Sequence, residues 1–144
     1  MSQFDFGKQA AIVYGHETFA ASSTNTNVNS VAIDTAGYAG AAIGLVLGPV
    51  GGGATTINAG NGFKLGLYEG DTNVRSAATA VPASRIINGS DEVVAVNTTV
   101  LYSFAPTKRY VFGEFTKTNA SAGATNANFA IVGVLGFPND APTS

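Results

Sequence analysis

The stretch Phe129-Ala130-Ile131-Val132-Gly133-Val134-Leu135 decides the fold. On an extended chain Phe129, Ile131, Gly133 and Leu135 lie on one side and Ala130, Val132 and Val134 on the other. That period of two belongs to a strand that buries at least one face. Working outward, runs of the same kind recur: Val31 and Ile33, Ile43-Gly44-Leu45-Val46-Leu47, Phe63-Lys64-Leu65-Gly66-Leu67-Tyr68, Glu92-Val93-Val94-Ala95-Val96 and Arg109-Tyr110-Val111-Phe112-Gly113-Glu114-Phe115. Each is short, rich in β-branched or aromatic residues, and bounded by Gly, Asn, Pro or Ser. Seven or eight such strands at short intervals predict an all-β chain folded as an antiparallel β-sandwich or jelly roll. The expected core is Ile33, Leu45, Leu47, Leu65, Leu67, Val94, Val111, Ile131 and Leu135.

Between the strands, Asn61-Gly62 and Asn88-Gly89 tolerate positive φ and favour tight turns. Helical signal is confined to the Ala-rich segments Gln9 to Tyr14 and Ser76 to Ala80, each long enough for a turn or two. Gly48 to Thr55 and Thr116 to Asn128 read as loops, because the first carries too much glycine for a packed strand and the second is almost wholly Ser, Thr, Asn, Ala and Gly. The prolines of the tail Pro138 to Ser144 are expected to stop the last strand from continuing as a central sheet member. A chain of 144 residues is the usual size of one domain. We divide it into an N-terminal arm and first strand region (1–28), a sandwich or jelly-roll domain (29–137) and a C-terminal tail (138–144), one domain in all.

Composition narrows the function. Seven Lys and Arg, nine Asp and Glu, one His and no Cys leave few groups for acid–base or nucleophilic chemistry and none for a thiolate metal site. We therefore expect no enzyme, no catalytic residues, no cofactor and no metal. The basic residues are scattered in a chain of net charge −2, so the clustered positive field of a nucleic-acid binder is missing. The longest weakly polar stretch, Ala36 to Thr55, is broken by glycine and proline and reads as a strand and loop, not a membrane span. The first six residues lack the basic start and apolar core of a secretory signal, which points to synthesis in the cytoplasm or a leader already removed. The three sequons at Asn88, Asn97 and Asn119 are what chance gives in a chain so rich in Asn, Ser and Thr.

Four local features invite chemistry. His16 beside Glu17 and near Tyr14 resembles an oriented base, but adjacent residues of an extended chain face opposite sides, so a surface or interface histidine is expected. The glycines of Gly48 to Thr55 suggest an anion cradle, yet no Gly-Lys-Ser or Gly-Lys-Thr follows. Glu69-Gly70-Asp71, like Asp91-Glu92, offers too few oxygens for calcium and reads as a strand-end turn. Tyr102, Phe104, Tyr110, Phe112 and Phe115, interleaved with Lys108 and Arg109, form a candidate stacking platform for bases or sugars, although alternation sends about half of them inward.

Several of these segments carry a resemblance. Asn29 to Tyr38 with its Ile33-Asp34-Thr35-Ala36-Gly37-Tyr38 start, the apolar strand to Gly48, and Phe63 to Thr72 with its Glu69-Gly70-Asp71 end resemble small virion proteins of tailed bacteriophages. Lys108-Arg109-Tyr110-Val111-Phe112 and Val134-Leu135-Gly136-Phe137-Pro138-Asn139-Asp140-Ala141-Pro142 are similar to that family's closing strands. The chain departs from it at Val74 to Ala80, where the family carries an acidic, tryptophan-containing stretch. The resemblance implies a β-sandwich or jelly-roll capsid decoration (cement) protein, a non-enzymatic structural protein of the bacteriophage virion. It would be made in the host cytoplasm and sit on the capsid exterior as a homo-oligomer bound to the major capsid protein, without direct nucleic-acid or membrane contact. Alternative readings are a tail or head–tail connector component and a glycan-binding β-sandwich module. The termini and the segments Gly48 to Thr55 and Thr116 to Asn128, least able to pack internally, are the expected partner contacts.

Overall fold

The computed structural model describes residues 10–19, 27–29, 32–51, 58–60, 62–88, 93, 95, 97–118 and 125–138. Among these residues nine strands follow in order: β1 (Ala10–Phe19), β2 (Asn27–Asn29), β3 (Ile33–Asp34), β4 (Tyr38–Gly51), β5 (Phe63–Gly70), β6 (Thr79–Ala80), β7 (Thr98–Phe104), β8 (Tyr110–Lys117) and β9 (Thr125–Pro138). Two 3-10 turns, Arg75–Ala77 and Ala83–Arg85, interrupt the connection from β5 to β7. The strands form two antiparallel sheets that pack as a sandwich. The first has the order β1-β9-β4-β7; the second has the order β2-β8-β5-β6, with β3 also paired to β8.

The alternation read from Phe129 to Leu135 is the one observed. Phe129, Ile131 and Leu135 are buried, whereas Val134 is exposed. In the partner strand β4, Ala41, Ile43, Leu45 and Leu47 are buried in the same way. Leu45 pairs with Ile131 and Leu47 with Phe129, so both strands turn one apolar row toward the second sheet. That sheet answers with Ile33, Phe63, Leu65, Leu67, Val111 and Phe115, all in the same core cluster. Phe115 lies between Phe63, on which it stacks at a centroid distance of 5.0 Å, and Phe129, whose tilted ring is 4.5 Å away, and so joins the two layers. Eight of the nine expected core residues are buried; the ninth, Val94, lies outside the described residues.

The layers are tightly packed over Gly113. A Cβ built there would stand 3.0 Å from Ile131 Cγ2, 3.2 Å from Ile43 Cγ2 and 3.3 Å from Leu65 Cδ1. The missing side chain is what lets the two isoleucines of the first sheet seat against the second.

The structure corrects several local expectations. Gln9 to Tyr14 is not helical: from Ala10 onward it belongs to β1, which pairs with β9 along all ten residues. Its Ala-rich sequence has no period to favour a helix, and a long strand partner decides the matter. Gly48–Gly51 and Thr125–Asn128 are not free loops; they zip together, with Val50 opposite Ala127 and Gly51 opposite Asn126 after a register shift beyond Leu47. Gly48 allows this close approach, since a Cβ there would meet the Asn128 carbonyl oxygen at 3.3 Å. Asn128 Nδ2 donates to the Pro49 carbonyl at 3.4 Å. Likewise Thr116 and Lys117 close β8 and do not open a loop. Among the described residues of the expected Glu92–Val96 strand, Val93 makes an isolated bridge to Phe63. The last strand is central and runs one residue into the expected tail, with Pro138 opposite Tyr38. Proline is tolerated there because it ends the ladder. Ser76 and Ala77 do lie in a 3-10 turn, and Asn88 adopts the expected positive φ of 75°.

Two outcomes test this packing. Gly113→Val should lower stability by about 2–3 kcal/mol through overpacking, whereas Gly136→Ala, with no atom within 4 Å of the added carbon, should stay within about 0.5 kcal/mol of the parent in urea unfolding. Ile131→Asp, which buries an unpaired carboxylate, should give insoluble or unfolded protein. A soluble Ile131→Asp protein with unchanged circular dichroism and melting would contradict the placement of β9.

Candidate functional site

Six charged side chains, those of Asp34, Glu69, Asp71, Arg85, Lys108 and Arg109, gather at one end of the sandwich. Asp34 and Thr35 lie at the step from β3 to β4. Asp34 Oδ1 accepts the Ala36 N–H at 3.0 Å, Tyr38 N–H donates to the Thr35 carbonyl at 3.0 Å, and Gly37 has φ +85°. This tight turn needs a residue that accepts positive φ, which explains the glycine in Ile-Asp-Thr-Ala-Gly-Tyr. The turn is tied across 74 positions of sequence: the buried Thr35 donates its hydroxyl to the Arg109 carbonyl at 2.8 Å, and its N–H to the same oxygen at 2.7 Å. Arg109 returns a fork to Asp34, with Nη2 at 2.8 Å and Nε at 3.1 Å. That pairing holds the Asp34 carboxyl below its ordinary range.

Glu69 anchors the neighbouring corner. It sits on the inward row of β5 and its side chain is only 6% exposed. Arg85 approaches with Nη1 at 2.5 Å and Nη2 at 3.2 Å, and Thr107 donates both its N–H, at 2.9 Å, and its hydroxyl, at 2.8 Å. Burial alone would raise this carboxyl; Arg85 and the two Thr107 donors outweigh it and bring the pKa down to about 2. Arg85 Nη2 also donates to the Ala105 carbonyl at 2.6 Å, fixing the loop that leads into β8. Beside this corner the exposed Lys108 and Asp71 pair at 2.6 Å. A carboxylate with four donors and so low a pKa is an anchor and is poorly placed to move protons near neutrality.

A second group lies on the outer face of the second sheet. Glu114 accepts from Tyr68 Oη at 3.1 Å and from Arg75 Nη2 at 2.6 Å, while the Arg75 guanidinium covers the Tyr68 ring at 3.2 Å. Burial first, and then Glu114, push the Tyr68 hydroxyl pKa up. The ring lies close over Gly66, whose added Cβ would come within 2.9 Å of Tyr68 Cε2.

The candidates read from sequence fare differently. The aromatic platform is not assembled: Tyr102, Phe104, Phe112 and Phe115 are buried, and only Tyr110 is partly exposed, with Arg109 at 5.2 Å from its ring. The glycan-binding reading loses its surface. His16 and Glu17 occupy successive positions of β1, opposite Asn128 and Ala127. Glu69 and Asp71 each serve a different cation, and no group of three or more His, Cys, Asp or Glu suited to a metal occurs among the described residues. No helix among them is long and apolar enough to cross a membrane. Gly48 to Gly51 belong to β4; the rest of that glycine-rich segment, and Asp91-Glu92, lie outside the described residues. Sequence reasoning missed the scaffolding roles of Arg85, Thr107 and Arg75, and the buried Lys117, whose pKa is lowered by desolvation.

The other end of the electrostatic range is the outer face of the first sheet. β4, β7 and β9 contain no Asp, Glu, Lys or Arg. Leu101, Val46 and Val134 are exposed on that face, and Ile87, bridged to Ser103, stands exposed at its rim. Beside Ile87 an open apolar cavity of about 340 Å³ is floored by Gly40, Ala42, Ser103 and Gly136.

These features define an all-β sandwich with a hydrogen-bonded polar end and, across β4, β7 and β9, a sheet surface without Asp, Glu, Lys or Arg. No protein-family model matches the sequence, and no curated protein matches it. Among solved structures the chain is similar to PliG, a periplasmic inhibitor of g-type lysozyme from Aeromonas hydrophila, at 12% identity over 94% of this chain and 93% of that one, with a TM-score of 0.43. It is similar also to the Yersinia pseudotuberculosis-derived mitogen, at 14% identity over 92% and 91%, with a TM-score of 0.40. The CBM22-1–GH10 modules of Clostridium thermocellum xylanase 10B align at 10% identity over 95% of this chain and 28% of that one, with a TM-score of 0.34. Likenesses this distant carry no functional argument.

The polar end predicts an acid-sensitive fold. With a pKa of about 2 in the folded protein against an ordinary 4.5, Glu69 contributes its full stabilisation above about pH 4.5 and loses it as pH falls toward 2; Asp34, also lowered, acts in the same direction. Glu69→Gln should therefore cost about 2–3 kcal/mol at pH 7 and flatten the loss of urea stability between pH 5 and pH 2.5. An unchanged pH slope in that variant would show that Glu69 does not carry the effect.

Proposed function

We propose that this chain is a structural protein of the bacteriophage virion that decorates and stabilises the capsid shell from outside. The observation that carries the reading is the division of the surface: the carboxylates of the polar end are matched by cations of the same chain, while β4, β7 and β9, three of the four strands of the first sheet, contain no Asp, Glu, Lys or Arg. A molecule so arranged is fitted to adhere to other proteins through shape and apolar contact.

The segments that resemble virion proteins support the same reading in another way. Asp34 meets Arg109 and Asp71 meets Lys108, so motif residues distant in sequence hold one another in place. They serve the scaffold, as expected of a protein whose work is mechanical. A shell under internal pressure gains from a second protein bridging its subunits, because symmetry repeats each buried contact many times.

Cryo-electron microscopy of virions from the source tests the proposal. The expected result is regular density for this sandwich at the junctions of capsid subunits. A ring of copies at a single vertex would assign the chain to the connector or tail instead, and its absence from particles would overturn a virion role.

A further inference from the structure

We infer that the outer face of the first sheet is a homodimer interface, on which two copies pack face to face with Leu101 of each seated in the apolar cavity of the other. The argument begins with shape. Register places Leu101, Gly44 and Val132 side by side in one row across the sheet, and Ser103, Ala42 and Val134 in the next. The first row carries a knob: Leu101 is half exposed and leans over Gly44, 3.3 Å from where a Cβ would stand. The second row carries a hole, the cavity of about 340 Å³ bounded by Ala42, Ser103, Val134 and Ile87.

Knob and hole lie in adjacent rows of one face. A two-fold axis running across the strands between these rows lays the first row of each copy on the second row of the other. Leu101 then meets Ser103 and Ala42 beside the Ile87 rim, twice, as an isologous contact requires. Facing sheets about 10 Å apart with strands within about 30° of one another give such rows room to interdigitate.

Charge and area select a second copy as the occupant. The three strands that build this part of the face hold no ionisable residue other than tyrosine, so the surface meets itself with no like charges brought together. A partner recognised by charge would find nothing there to pair with. A polar small molecule would find one hydroxyl, Ser103, in a cavity otherwise walled by Ala, Gly, Val, Ile and Phe. These three strands, of 14, 7 and 14 residues, present roughly 550 Å² in projection before side-chain relief is added. This approaches the ~800 Å² per partner of a standard stable interface.

The inference rests on the proposed function only in sharing its homo-oligomer, and its test uses the isolated full chain, so either can fail without the other. Sedimentation velocity at about 100 μM should show a dimer for the parent. Leu101→Asp, which drives a carboxylate into each cavity, should give a monomer, and Lys64→Asp on the second sheet should remain a dimer. Should Leu101→Asp fail to fold, the milder Leu101→Ser should still raise the dimer dissociation constant at least tenfold. Because the chain has no cysteine, the double variant Leu101→Cys/Ser103→Cys adds a direct readout: a short bis-maleimide, whose spacer spans facing sheets about 10 Å apart, should give a covalent dimer on a denaturing gel. A monomeric parent at this concentration overturns the inference, including the case where the cavity instead takes up an apolar probe such as a naphthalene sulfonate. So does a dimer that survives Leu101→Asp and forms no cross-link.

Discussion

The closure of the two sheets over Gly113 is the constraint on which the rest of the molecule depends. Ile43 and Ile131 of the first sheet and Leu65 of the second all come within 3.3 Å of the space a side chain at Gly113 would fill. Close-packed interiors leave no slack for an added methyl group, so the residue absent from this point sets the distance between layers. Everything buried follows from that distance: the Phe63, Phe115 and Phe129 stack, the rows of β4 and β9, and the fit of the corner turns. The polar end is built by strand pairing and connections: pairing of β3 with β8 sets Asp34 beside Arg109, and the connections on either side of β7 bring Arg85 and Thr107 to Glu69. Donors and acceptors at the corner then satisfy one another directly.

Distribution of charge links this architecture to function. The ion pairs of the polar end stabilise connections and hold the loop before β8; β4, β7 and β9, which carry no Asp, Glu, Lys or Arg, turn mostly small and apolar residues outward. In a monomer such a face is a liability, because contiguous exposed apolar surface favours association. In an assembly protein it is the working surface. Glycines and alanines on β4 and β9 keep the floor of the face low, and Leu101, Val46 and Ile87 give it relief.

Much of the fold was legible in the sequence because strand alternation is local. Phe63–Gly70 and Tyr110–Lys117 stand where their apolar periods place them, and the inward row of Phe129, Ile131 and Leu135 is the one expected. Two things were hidden. The distal ladder between Gly48–Gly51 and Thr125–Asn128 is built from residues with weak strand preference, and each segment becomes a strand only because the other is its partner. The polar end was hidden for a different reason: Glu69 and Arg85 are 16 positions apart, Glu69 and Thr107 are 38 apart, and Asp34 and Arg109 are 75 apart. No local spacing encodes those meetings. The aromatic platform misled because alternation gives parity but not cover. Phe112 falls on the outward row of β8 and is nonetheless buried.

The most direct test of the account is the inter-sheet contact itself. Nuclear Overhauser spectra of isotope-labelled protein should show cross-peaks from the Gly113 α-protons to the γ2-methyl groups of both Ile131 and Ile43, the two groups that reach it from the opposite sheet. Gly113 α-protons that contact only residues of their own sheet, or water, would contradict the sandwich and with it the surfaces it positions.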